Sequence, residues 1–224
     1  MSVSPNAVLS RRRIGGLGLA ATILVGIVVA LDIASTWTIW NVYGLVKDYI
    51  AGDAEVTRDD LNSADDTTSA VGWLYLGALV ASGIVFVVWL WRARVNAELL
   101  CTAPHRRARG WIIGSWICPV VSLWFPFMIV DDVYRASRPT NSPDLYDLRS
   151  VPGSRVLGLW WALCLGALVL DRIFKATWGR AITVASLRSA AVVATVQSAA
   201  AIGAAVTIVL TVRRISAWQD GSVR

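Results

Sequence analysis

Five long apolar runs govern what this chain can fold into: residues 14–31, 70–91, 111–130, 156–170 and 190–212. At about 1.5 Å per residue, the second and fifth reach ~33 Å as helices, enough to cross a hydrocarbon core about 30 Å thick. The fourth attains that length by running from Pro152 to Asp171 or beyond. Composition agrees with a lipid environment. Hydrophobic residues make up 56% of the 224 and charged ones 16%, with a mean hydropathy of +0.58. That is too little charge for an ordinary soluble domain, and it excludes a disordered chain, a collagen and a disulfide scaffold.

The first run follows Arg11, Arg12 and Arg13, the pattern of a signal peptide. It is longer than a signal h-region, lacks a convincing small-residue cleavage site, and stays apolar past Asp32 through Trp37 and Trp40. A retained signal-anchor helix is the expectation. Cys101, Cys118 and Cys164 form no CxxC pair and read as reduced structural residues. The net charge of +6 does not point to nucleic acid, because the basic residues flank the apolar runs. Arginine outnumbers lysine nineteen to two, which fits a GC-rich bacterial genome.

Charge also sets the expected topology. Residues 48–66 hold seven of the fifteen acidic residues and read as a polar loop, taken as 48–69 outside the membrane. Residues 92–110 carry five arginines, broken by Pro104, and read as a basic cytoplasmic loop. Between 135 and 152, Pro139, Pro143 and Pro152 punctuate a non-helical connection. The third run contains Pro119 and Pro126, which interrupt a helical hydrogen-bond ladder, and several indoles that favour an interface. Five true spans with the N-terminus inside leave 12 basic residues inside and 9 outside; a third run that dips in and returns leaves 15 and 6. The positive-inside rule therefore favours four transmembrane helices plus a Pro-broken re-entrant or interfacial hairpin, with five transmembrane helices as the alternative. The expected class is an all-α polytopic membrane protein of the cell membrane. A cytoplasmic basic tail at 1–13 precedes a single helical domain at 14–219, and a tail at 220–224 follows.

The densest polar pattern straddles the end of the second run and the third. Trp89, Arg92 and Asn96 recur at i, i+3 and i+7 and share a helix face. Beyond them lie Gly110-Trp111, Gly114, Trp116, Pro119, Ser122, Leu123-Trp124 and Pro126. A short helix is expected next, carrying Asp131, Asp132, Tyr134 and Arg135 and ending at Arg138-Pro139. This constellation, with Asn96-Ala97, Arg135-Ala136-Ser137, Trp160-Trp161 and Val212-Arg213-Arg214-Ile215 through Gln219, resembles a bacterial, actinobacterial-type family known as domain of unknown function 4328. The resemblance runs from about Arg12 to Gln219. It departs at Ser122, where members carry Asn, and at Tyr134, where they carry Trp. It implies a polytopic membrane protein and supplies no activity.

Bland readings stand beside sharper ones. Arg92 and Arg94 read as snorkelling, positive-inside residues, Asn96 as a helix cross-link, and the tryptophans as interface anchors. Asp32 is expected near the outer face, and a deeper position would give it a functional role. Asp171 and Lys175 make an i, i+4 ion pair. His105, the only histidine, reads as solvated; its solitude excludes a His-rich metal site and an HExxH protease. Phosphate loops and GxSxG elbows are absent, and Ser115 and Ser122 lack a histidine base. Gly110-x-x-x-Gly114 and the small residues at 198–205 suggest close helix packing; the latter, with Ala199 and Gly203 four apart, is the better candidate and could serve as a homo-oligomer seam.

The expected function is a non-enzymatic membrane module without cofactor. Its cytoplasmic-face site for a protein partner or anionic lipid would use Trp89, Arg92, Asn96, Trp111, Trp116, Pro119, Trp124, Pro126 and Arg135, with Arg106 and Arg107 beside them. A small transporter or channel subunit is the alternative.

Overall fold

The computed structural model describes residues 12–141 and 145–221. Six α-helices follow in order: α1 (Gly15–Ala51), α2 (Arg58–Leu100), α3 (Trp111–Ile117), α4 (Phe125–Ala136), α5 (Arg155–Trp178) and α6 (Val184–Gly221). Short 3-10 turns occupy Val121–Leu123 and Leu148–Ser150. Among the described residues there is no strand. Four helices, α1, α2, α5 and α6, are long and apolar enough to cross a membrane. The third apolar run is not a fifth. Cys118 closes α3 by donating its N–H to the Gly114 carbonyl, and Pro119 follows. Pro126 lies in the first turn of α4, where a missing N–H costs nothing.

The spans run well past the apolar runs, and this corrects both charged loops. The acidic stretch is mostly helix: α1 continues to Ala51, and α2 begins at Arg58. Thr57 and Asp60 form a reciprocal cap, the Asp60 carboxylate accepting from the Thr57 backbone N–H at 2.9 Å while Asp60 N–H donates to the Thr57 hydroxyl at 3.3 Å. Asp59 and Asp60 also complement the helix dipole, so acidic residues here start a helix rather than prevent one. Gly52, at φ +84°, makes the left-handed turn that ends α1. Likewise residues 92–100 extend α2, and the non-helical part of the basic stretch begins at Cys101.

The chain divides into two compact units. Among the described residues, one comprises 12–20, 85–141, 145–154 and 211–221; the other comprises Ala21–Ile84 and Arg155–Leu210. In the second unit α1 and α6 meet through Ile39, Ala191 and Ala194, with Trp40, Phe174 and Trp178 packed against them. The Trp40 indole donates to the Thr195 hydroxyl at 3.0 Å. A Cβ at Gly203 would lie 3.0 Å from Leu163 Cδ1, so the small-residue stretch of α6 serves close packing on α5. The Lys175–Asp171 pair forms at 2.8 Å. Outward, this unit shows large apolar side chains such as Trp73, Leu74, Ile33 and Val169, as a lipid-facing bundle does.

In the first unit the core is Trp89, Leu90, Ala93 and Ala97 of α2, Ile112 of α3, Ile129, Val130 and Val133 of α4, and Val212 and Ile215 of α6. Of the expected tail at 220–224, Asp220 and Gly221 are the last residues of α6, and 222–224 lie outside the described residues. Asp220 accepts from the N–H groups of Ile14 and Gly15, both at 3.0 Å, and so caps the start of α1. Of the expected basic tail, Arg12 and Arg13 are exposed, and the rest lies outside the described residues.

Candidate functional site

The first unit gathers most of the motif residues around the end of α2. Trp89 is fully buried, and its indole N–H donates to the Ser216 hydroxyl at 3.1 Å. Asn96 is buried, and its amide donates to the Arg12 carbonyl at 2.8 Å. One helix turn apart from these contacts, Gln219 of α6 donates from one amide nitrogen to the Ala93 carbonyl (2.9 Å) and the Ser137 hydroxyl (2.7 Å). Buried amides bonded in this way cross-link α2, α4 and α6, because leaving either amide unpaired would cost its full desolvation penalty.

Arg92 does not join Trp89 and Asn96. It is exposed, and the buried arginine is Arg94. The Arg94 Nε donates to Glu98 at 2.7 Å and its Nη2 to the Arg107 carbonyl at 2.9 Å. Arg109 binds the other oxygen of Glu98. Glu98 thus ties the helix to the loop that follows it. The arginine at i+3 from Trp89 sits at the rim of the buried face, and the one at i+5 packs inward.

Charge is concentrated where that loop meets α4. Asp131 and Asp132 are 2% and 0% exposed. Arg106 bonds both: its Nε to Asp132 at 2.6 Å, its Nη2 to Asp131 at 2.7 Å, with its backbone N–H on Asp132 at 2.8 Å. Arg135 reaches Asp131 at 2.9 Å, and its Nη1 donates to the Val151 and Leu148 carbonyls, fastening the 145–154 segment. Burial, aided by neighbouring Asp131, pushes the Asp132 carboxyl up, while Arg106 pulls the other way. His105 is not solvated as its composition suggests. Its Nε2 is buried without a partner among the described residues. Burial first, then Arg94, Arg106 and Arg109, depress it to about 4 against the opposing pull of Glu98, leaving a neutral imidazole at pH 7.

The aromatic residues divide. Trp111 packs edge-on against Phe125 with centroids 4.9 Å apart, and the Arg107 guanidinium lies 4.1 Å from the centre of the same Phe125 ring. Trp116 meets Phe86, and Trp124 meets Phe125, each edge-on. All three indoles remain partly exposed, whereas Pro126 is buried and Pro119 exposed, its carbonyl accepting from Ser122 at 2.7 Å. Tyr134, where the resemblance has Trp, packs on Trp218 and under Arg138. The Gly110–Gly114 spacing serves no helix contact: nothing approaches a Cβ at Gly110, and only the chain's own Trp111 lies near Gly114. Cys101 is buried, whereas Cys118 is exposed, so the three cysteines are not uniformly packing residues.

Sequence reasoning did not single out Arg94, Glu98, Gln219 or Asp220 as a set. Their partners lie on other helices, and the one local signal is the i, i+4 spacing of Arg94 and Glu98. Among the described residues no group of three His, Cys, Asp or Glu is arranged to hold a metal ion.

No curated protein and no solved structure matches the chain. The family model described as domain of unknown function (DUF4328) matches residues 52–217, which include α2 through most of α6 and nearly the whole of the network above. An all-helical protein with four helices fit to cross a bilayer, the chain belongs to the DUF4328 family.

Proposed function

We propose that the protein is a non-enzymatic module of the cell membrane whose α3–α4 face holds an anionic lipid headgroup on the cytoplasmic side. One observation carries this reading. Trp111, Trp116 and Trp124 are 37%, 40% and 44% exposed, on a ribbon with exposed Ile117, Val120 and Leu123, in a unit that also exposes Arg12, Arg13, Arg92, Arg213 and Arg214. Indoles favour the headgroup level, and basic residues near an anionic leaflet gain about 1 kcal/mol each. The buried carboxylates of this unit are already bound to Arg106 and Arg135, which leaves the exposed arginines to meet a ligand. In the second unit the exposed acidic residues Asp53, Glu55, Asp59, Asp65 and Asp66 cluster around the α1–α2 connection, while exposed basic residues such as Arg172, Arg180 and Arg188 lie on α5, α6 and the turn between them. By the positive-inside rule, the exposed arginines of the first unit support a cytoplasmic location for the ends of α1, α2 and α6 that carry them, with α3 and α4 as an interfacial hairpin.

Native mass spectrometry tests the site, with detergent-extracted protein equilibrated against mixed phosphatidylglycerol and phosphatidylcholine. The wild type should retain phosphatidylglycerol preferentially, and Trp124→Ala or Arg92→Ala combined with Arg213→Ala should reduce retention several-fold. Retention unchanged in both variants rejects the site. A co-purifying protein lost in the same variants would move the occupant from lipid to protein partner. Reporter fusions after residues 145 and 221 test sidedness, and periplasmic signals at both would overturn it.

A further inference from the structure

In the second unit, a buried carboxylate of α1 meets polar side chains of α6. Asp32 of α1 is 6% exposed, and Ser198 of α6, itself buried, lies 2.5 Å from its Oδ2. The Gln197 side chain also hydrogen-bonds Asp32. Tyr75 of α2 is close enough to Asp32 and to Asp171 of α5 to feel both charges.

The surroundings on the outside of the bundle are apolar. Ile33 is 52% exposed beside Asp32, Leu74 and Leu76 lie on either side of Tyr75, and Val196 precedes Gln197. Asp32 and Ser198 are thus buried within the helices of this unit, beside residues whose large apolar side chains face outward. An ionisable group so placed in a span needs a positive partner, whether a side chain, a small cation or a proton. Asp171 has one in Lys175. Among the described residues Asp32 has no Lys or Arg at ion-pair distance. Hard cations are held by about six oxygen ligands, and Asp32 with Ser198 and Gln197 supplies too few.

We propose that Asp32 is a proton-binding site inside the membrane-spanning bundle, with Ser198 and Gln197 of α6 as its hydrogen-bonding partners. Uptake and release of that proton change the charge at the α1–α6 contact and bias the packing of those two helices. The site is independent of the lipid-binding face and rests only on the helices being embedded in the bilayer.

Dicyclohexylcarbodiimide is the probe. A membrane-embedded carboxylic acid adds across its C=N bond, the acid proton passes to nitrogen, and no atom leaves. The full chain in proteoliposomes is treated across a pH series, with and without sodium, and the modified peptides are mapped by mass spectrometry. The expected result is modification at Asp32 whose yield falls several-fold as pH rises, is unaffected by sodium, and is lost in Asp32→Asn. Ser198→Ala should retain the label but shift the pH of half-modification, since the hydroxyl bonds the two protonation states unequally. Asp32 unmodified at every pH overturns the proposal. So does protection by sodium, which would make this a cation site, and so does a half-modification pH unmoved in Ser198→Ala.

Discussion

Arg106 holds Asp132 twice, through its guanidinium Nε at 2.6 Å and through its own backbone N–H at 2.8 Å. Side chain and main chain of one loop residue thereby fix the same buried carboxylate, and Asp131 shares the guanidinium. Removing the arginine leaves two buried carboxylates with one cation between them. Arg106→Ala should cost about 3–5 kcal/mol, the usual loss when one partner of a buried pair is deleted. Reversible unfolding in detergent micelles measures it. A cost under ~1 kcal/mol, the range of exposed pairs, would show that the cluster is solvated.

The cap on α1 gives a second prediction. Asp220 satisfies two N–H groups that the helix itself cannot. Asp220→Ala should destabilise by about 1–2 kcal/mol, with Asp220→Asn intermediate because it keeps an acceptor and loses the charge. The same unfolding measurement reads the series.

Acid sensitivity follows from His105. The folded protein holds it at about 4, below the ordinary value of 6.5, so the unfolded chain takes up the proton first as pH falls. Its contribution is complete above pH 6.5 and is lost between about 6.5 and 4. The thermal midpoint of the wild type should therefore drop between pH 7 and 5 by more than that of His105→Gln. Equal drops would mean that the imidazole is hydrated in the fold.

Gly203 separates an internal seam from an oligomer seam. With Leu163 Cδ1 3.0 Å from the site of its absent Cβ, Gly203→Val should overpack the α5–α6 contact and cost about 1–3 kcal/mol. Leu163→Ala in the same chain should recover part of it. A variant of unchanged stability but altered oligomeric state by light scattering would assign the stretch to a contact between copies.

The four spans were legible because each apolar run holds no charged residue over fifteen or more positions, and the break in the third because prolines act locally. Helix ends were less so. The polar beginning of α2 depends on the Thr57–Asp60 cap, whose T-x-x-D spacing is visible but is outweighed by the acidic composition around it. Trp89 and Asn96 were correctly put on one face, but the choice between Arg92 and Arg94 turned on Glu98 and the Arg107 carbonyl. His105 illustrates the same limit: its sequence neighbours are arginines, and only the folded loop reveals that Arg106 and Arg109 are engaged with carboxylates and Arg107 with the Phe125 ring while the imidazole is enclosed.

The Asp220 cap has a consequence for biosynthesis. A helix inserted early in translation receives the acceptor for its first N–H groups from a residue more than two hundred positions later. Until α6 has been made, the start of α1 carries unmet donors and the Arg12 region lacks that anchor. Assembly of the arginine-bearing unit is therefore a late event, and a ribosome stalled before Asp220 would leave membrane-inserted helices whose first one is still unfinished.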